Sequence, residues 1–302
     1  MEQFLLMLQL QITLAIYVFV GVVLRKCGAM PKEASPLFTD FLLYVTLPFM
    51  IFSSYNIDQG QANTHLIPQL VLIGFACMFA SLGISKVIYR SVLSGRRRVM
   101  QYGTIISNAG FIGIPVSGQI YGQLGLIYSS FFMIPIRVFI FTAGISLFVD
   151  SDIRTKVKNV LLHPATIAVL LGSARLFFDV AIPYPIDTAF RAIGECTVPL
   201  SMIIIGMILA DLPAQKVVDR DVALLSFVRL IALPGALLIL MKLAGADPVM
   251  TGVMVIHMAM PVGMTTAALA QKYGGDHIFA LRCILFSTVL SLATAPLLIL
   301  LI

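Results

Sequence analysis

Along the 302 residues, apolar runs of about twenty residues alternate with short polar connections. A helix rises 1.5 Å per residue, so about twenty apolar residues span a hydrocarbon core about 30 Å thick. Ten runs meet that length: residues 4–24, 37–54, 66–89, 100–121, 124–149, 160–178, 188–210, 222–243, 249–271 and 277–301. Few of them alternate with the strict period of two expected of strands, and most are apolar on every helical face. The pattern predicts an all-α membrane protein with ten transmembrane helices. Residues 1–24 lack a basic n-region and close on Arg25-Lys26, so they read as the first span rather than a signal peptide.

The polar connections orient the chain. With the N-terminus outside, the odd-numbered connections hold Arg25, Lys26 and Lys32; Lys86, Arg90, Arg96, Arg97 and Arg98; Arg154, Lys156 and Lys158; Lys216 and Arg220; and Lys272. The even-numbered ones hold Arg175, Lys242 and Arg191. Basic residues collect on the cytoplasmic side, which predicts both termini extracytoplasmic.

The charged stretch 150–158 divides the chain into residues 1–150 and 151–302, five spans each. Five is odd, so the halves are expected to lie in the membrane in opposite orientations. Gly21 precedes Thr46-Leu47-Pro48 by the interval that separates Gly172 from Thr197-Val198-Pro199, and Ile114-Pro115-Val116 is matched by Met260-Pro261-Val262. Proline removes a helical hydrogen bond. Paired interruptions in inverted halves mark the midplane site of a transporter.

Composition narrows the class. Hydrophobic residues make up 59% of the chain and charged residues 11%, with a mean hydropathy of +1.00, so the partner surface is a lipid bilayer. The net charge of +6 belongs to membrane-flanking loops and not to a nucleic-acid interface. Cys27, Cys77, Cys196 and Cys283 are scattered, giving no disulfide framework and no metal site. No His-Glu-x-x-His, Gly-x-Ser-x-Gly or P-loop pattern occurs, so a membrane-embedded enzyme is a minor alternative and no cofactor is expected.

Two segments carry a family likeness. The run from Ser107 through Asn108, Gly110, Phe111, Gly113 and Pro115, followed by Tyr121-Gly122, resembles the fourth-span signature of the auxin efflux carrier family. Met260-Pro261-Val262-Gly263, continuing to Ala270-Gln271-Lys272-Tyr273-Gly274, is similar to its ninth-span signature. The likeness covers the whole layout and is nearest to the compact bacterial branch with its malonate and malate carriers, related to the plant auxin transporters. It implies two inverted five-helix repeats, like those of bile-acid symporters and sodium–proton antiporters. Spans 1, 2, 6 and 7 would form a scaffold and spans 3–5 and 8–10 a transport domain. Spans 4 and 9 would break at Pro115 and Pro261 and cross there. The implied function is secondary active transport of small organic anions by an elevator movement in the inner membrane of a bacterium. A sodium-coupled bile-acid-type symporter is the alternative. No acid lies in 107–118 or 255–271, which lowers the odds of a cation–proton antiporter. H⁺ or Na⁺ coupling and a homodimer stay open.

Candidate substrate contacts are Asn108, Gly110, Gly113, Pro115, Val116, Pro261, Val262 and Gly263, where amides opening the second half-helices would attract an anion. Asn108 alternatively serves as an interhelical hydrogen bond. Arg137, in the fifth run, needs an anionic partner, either substrate carboxylate or Glu195. Glu195 carries a coupling proton if burial raises its pKa, or serves as a fixed counter-ion. His257 is a proton shuttle or a packing histidine. Arg229 and Arg282 lie in or near spans without an assigned role.

Overall fold

The structure, a computed structural model, describes residues 2–55, 64–110, 112–140, 162, 164–178, 180–211, 218–272 and 275–302. The predicted divider 150–158, with Arg154, Lys156 and Lys158, lies outside them, as do the end of the fifth run, Lys216, Phe111 and Tyr273-Gly274.

The regular elements among the described residues are all helices, joined by turns and short links, with one isolated bridge. Helices α1 (Glu2–Lys26), α2 (Ala34–Ser53) and α3 (Ile67–Ile88) are followed by α4 (Ser94–Ile105), α5 (Gly113–Phe132) and α6 (Ile134–Phe139). Then come α7 (Pro164–Phe178), α8 (Tyr184–Glu195), α9 (Thr197–Ala210), α10 (Arg220–Leu243), α11 (Pro248–Met258), α12 (Thr265–Lys272) and α13 (His277–Ile299). By length and composition, six helical stretches can cross a membrane: α2, α3, α5 with α6, α8 with α9, α10, and α13. Large apolar side chains such as Phe19, Leu72, Phe79 and Val87 face outward, as suits a chain whose solvent is lipid.

Local chemistry explains where helices begin. Asp219, Asp247 and Asp276 cap α10, α11 and α13, each accepting a hydrogen bond from the amide three residues on. Prolines inside apolar runs are absorbed differently. In α2 a wide π turn, Leu42–Thr46, precedes Pro48, and in α10 another, Val228–Ala232, precedes Pro234. Each proline deprives the carbonyl four residues earlier of its donor, and the extra residue in the turn relieves that clash. The 188–210 run is interrupted at Cys196, three residues before Pro199.

Two predicted spans are broken. The 100–121 run holds α4, an irregular segment from Ile106 that includes a 3-10 turn at Asn108–Gly110, and the start of α5, while the 249–271 run consists of α11, the link 259–264, and α12. The break in the first run differs from expectation. Helix α5 opens at Gly113, so Pro115 sits in its first turn, where an N–H has no intrahelical partner to lose. Pro115 therefore starts a helix, whereas Pro261 lies in the unwound link itself. Just before the 124–149 run, Gly122 takes a φ of 61° and a ψ of −146°, which sharply kinks the chain inside α5. Past that kink a Cβ at Gly125 would collide with the Ser117 carbonyl, so the two arms of α5 lie against one another.

Helix α1 packs along α9, and α2 against α7 and α8. Separately, α5 packs on α11, α3 on α4, and α13 on α10 and α12. A buried core that includes Tyr102, Ile106, Ile112, Ile256, Met260 and Val262 gathers round the two unwound segments.

Candidate functional site

The unwound segments cross and bond to one another. Asn108 N donates to Pro261 O at 2.7 Å and Gly263 N to Ile106 O at 3.0 Å, framing an antiparallel bridge between Ser107 and Val262. Two strand-like segments deep in an apolar bundle thus satisfy each other's backbone groups, as they must away from water. Ser107 Oγ donates to His257 O at 3.3 Å, and Val262 N donates to Ser287 Oγ of α13 at 3.1 Å.

Of the sequence candidates, Asn108, Pro261, Val262 and Gly263 form the crossing, Gly113 and Val116 pack against it, Gly110 lies against Met133, and Pro115 faces a cavity between α2, α5 and α8. Gly113 is wedged between the arms, since a Cβ there would lie 3.2 Å from Met260 and 3.4 Å from the His257 ring. Gly263 lets Ser107 O approach, at 3.1 Å from where a Cβ would be. The amides expected to hold an anion are partly used already. Val116 N donates to Ile112 O at 3.0 Å, and those of Val262 and Gly263 are committed as above.

Asn108 stands apart. Its side chain is buried, yet neither Nδ2 nor Oδ1 has a hydrogen-bond partner among the described residues. A buried amide left in that state costs about 1–3 kcal/mol for each lost partner, so such an amide suits contact with a ligand. His257 is also fully buried beside the crossing. Its Nδ1 lies 2.9 Å from Val253 O, which can only accept, so Nδ1 carries the proton. Its Nε2 meets no partner among the described residues, and the Phe132 ring packs edge-on at 5.9 Å.

Arg137 belongs to a neighbouring cluster. It is 8% exposed; Nη1 donates to Ser130 O at 3.2 Å, and Nη2 has no partner among the described residues. Ser130 Oγ shares a 2.9 Å hydrogen bond with Ser54 Oγ. Among the described residues no carboxylate lies within 4.0 Å of Arg137, so the ion pair with Glu195 is not formed. Glu195 is exposed and is not a buried counter-ion. It lines a cavity of about 330 Å³ between the end of α2 (Ser53, Ser54), the start of α5 (Ile114, Pro115) and α8 (Arg191, Glu195). That volume is at the small end for ligand sites. Asn108 and Arg137 do not line it, but Pro115 and Ser54 connect its wall to each of their clusters.

Arg229 is the site residue that the sequence reading left without a role. Wholly buried in the π turn of α10, it donates from Nε to Met260 O (3.1 Å), from Nη1 to Thr104 O (3.1 Å) and from Nη2 to His257 O (3.2 Å). The available signal was a guanidinium midway along a strongly apolar run, five residues before a proline.

Residues 6–299 match the family described as membrane transport protein. The chain is 27% identical to an uncharacterised transporter of Methanothermobacter thermautotrophicus, covering 95% of each chain. It is 25% identical to an uncharacterised transporter of Methanocaldococcus jannaschii, covering 92% of each. A Rhizobium meliloti protein named "Putative malonate transporter" is 20% identical over 92% of this chain and 90% of its own length.

Proposed function

The chain belongs to the auxin efflux carrier family of membrane transport proteins, and from that premise we propose that it is a secondary active carrier of small organic anions, with dicarboxylates such as malonate foremost. The observation that carries this reading is Asn108, a buried amide with donor and acceptor unengaged where two broken helices cross. The half-helices α5 and α12 begin at that crossing, and each helix start offers about half a positive charge. Together they balance one carboxylate. A dicarboxylate brings a second negative charge, for which the buried Arg137 with its spare Nη2 donors is suited.

In this reading the ten spans form two inverted repeats with both termini extracytoplasmic, in the inner membrane. Spans 1, 2, 6 and 7 are the scaffold, against which the crossing and its bundle slide as an elevator. The packing of α1 along α9 and of α2 on α7 and α8, and of α5 on α11 and α10 on α13, supports that division, with α1 touching α5 and α13 across it. The cavity between α2, α8 and the start of α5 lies at the seam and supplies an access route. The relative named for malonate supports the substrate class.

Uptake by proteoliposomes holding the purified chain, measured across mono-, di- and tricarboxylates, tests the proposal. Saturable, protein-dependent flux of a dicarboxylate is expected. Flux absent for every carboxylate in a well-folded preparation would reject it.

A further inference from the structure

Arg229 has an unusual set of partners. Its three hydrogen bonds go to main-chain carbonyls, and among the described residues no carboxylate lies within 4.0 Å of it. Thr104 is in the last turn of α4, His257 is in the last turn of α11, and Met260 is in the link just beyond. These are the first halves of the two broken helices, so their negative ends converge on one guanidinium. Each helix end carries about −0.5 of an elementary charge, and two sum to about −1, which one fixed cation balances.

Unwound carbonyls and half-helix C-termini are the groups that coordinate Na⁺ in transporters with discontinuous helices. Here a side chain fills that role. We propose that the Arg229 guanidinium is the resident cation of the crossing, so that the anion site is assembled without Na⁺ or K⁺ bound between the α4 and α11 ends. The π turn of α10 contributes, because Arg229 lies within its widened coil, a feature common at functional positions. Arg229 is a positioning residue: its bonds reach the segments that carry Asn108 and Pro261, and fix the register in which Asn108 N meets Pro261 O. The inference deepens the carrier reading and rests on it for its bearing on transport.

The test uses the full chain in detergent, with malonate as the anion probe and NaCl, KCl, choline chloride and millimolar guanidinium chloride as cation probes. Wild-type thermal stability and malonate affinity are expected to differ by less than about twofold in affinity between Na⁺ and choline. Arg229→Ala should lose stability and malonate binding, and regain both with guanidinium or Na⁺ but not with choline. Arg229→Lys keeps the charge without the fork and should bind more weakly, yet remain indifferent to the added cation. If the alanine variant does not fold, the lysine variant and the wild type still decide. Wild-type affinity that rises about tenfold or more with Na⁺ would overturn the proposal. So would a lysine variant that acquires Na⁺ dependence, or a folded alanine variant that responds to no cation. If no carboxylate binds any variant, the substrate reading fails, while the stability series without anion still tests Arg229.

Discussion

At the scale of single residues, Asn108 and Arg137 make separable predictions. Asn108→Ala removes one donor and one acceptor that meet nothing in the described protein, so the loss falls on the ligand complex. Hydrogen bonds of this kind contribute about 0.5–1.5 kcal/mol each, and more to a charged partner. Malonate affinity should fall several-fold to about a hundredfold by calorimetry, with unchanged thermal stability in the absence of ligand. Unaltered affinity in a folded variant would remove Asn108 from the site. Arg137 was legible in the sequence as a cation in want of an anion, with Glu195 one of two partners. The fold separates that pair, because Glu195 faces the cavity while Arg137 turns to Ser130 O. Arg137→Gln should therefore abolish dicarboxylate transport, and adding Glu195→Gln should restore neither transport nor stability. A coupling energy between the two above about 0.5 kcal/mol would restore the ion-pair reading.

Among the helices, close approach and irregular turns set the geometry. Gly21 of α1 and Gly206 of α9 face one another backbone to backbone: a Cβ on Gly21 would overlap Ile203 O, and one on Gly206 would overlap Val18 O. Small residues draw membrane helices together in this way. Gly206→Val should destabilise the α1–α9 pair by about 1–3 kcal/mol, the usual cost of overpacking, seen as a lower melting temperature in detergent. An unchanged melting temperature would show that α1 does not pack there. The prolines were readable as interruptions, but not as four different solutions. Pro48 follows a π turn, Pro199 follows a one-residue break, Pro115 opens a helix, and Pro261 lies in an unwound link. Which solution applies depends on whether neighbouring chain can satisfy the freed carbonyl, and at Pro261 that carbonyl, His257 O, receives Ser107 Oγ and Arg229 Nη2.

Across the whole molecule, one ionic cluster ties three helix starts together. Arg96 of α4 lies 3.2 Å from both Asp219 and Asp221 and 3.6 Å from Asp276, and Arg282 of α13 lies 2.9 Å from Asp219. Burial pushes the Asp219 carboxyl up, but the Val222 amide and the Arg282 and Arg96 guanidiniums outweigh it and hold the group below its ordinary range. A carboxyl depressed in the folded state adds stability above its unfolded pKa of about 3.9, and that stability fades as pH falls through the folded value. Asp219→Asn keeps the cap on Val222 and loses the ion pairs. It should cost no more than about 1 kcal/mol at neutral pH, less in high salt, and its deficit should fade progressively as the pH falls below about 4. Asp219→Ala loses the cap as well, adding about 1 kcal/mol that persists in acid. A deficit of Asp219→Asn that is independent of pH would refute the electrostatic account. In the proposed orientation this cluster faces the cytoplasm. In intact cells, an impermeant thiol reagent should label a cysteine placed at Gln3 but not one at Gly95, and the reverse pattern would invert the topology.

The sequence by itself determined the solvent, the family and most of the helices, because runs of twenty apolar residues have no stable home outside lipid and basic flanks lie beside them. It also pointed to the neighbourhood of the two segments that meet, since the Asn-Gly-Pro and Met-Pro-Val-Gly patterns mark where a helix loses its own hydrogen bonds. Only the tertiary structure decided what replaces those bonds. Asn108 and Pro261 are 153 positions apart, and nothing local to either specifies that one donates to the other. The same holds for Arg229, whose apolar run gives no hint that two helix ends converge on it, and for Glu195, exposed beside a cavity that three distant helices build. Periodicity reports which residues avoid water. The pairing of unsatisfied groups across the bundle is a property of packing, and the chemistry of this site resides in that pairing.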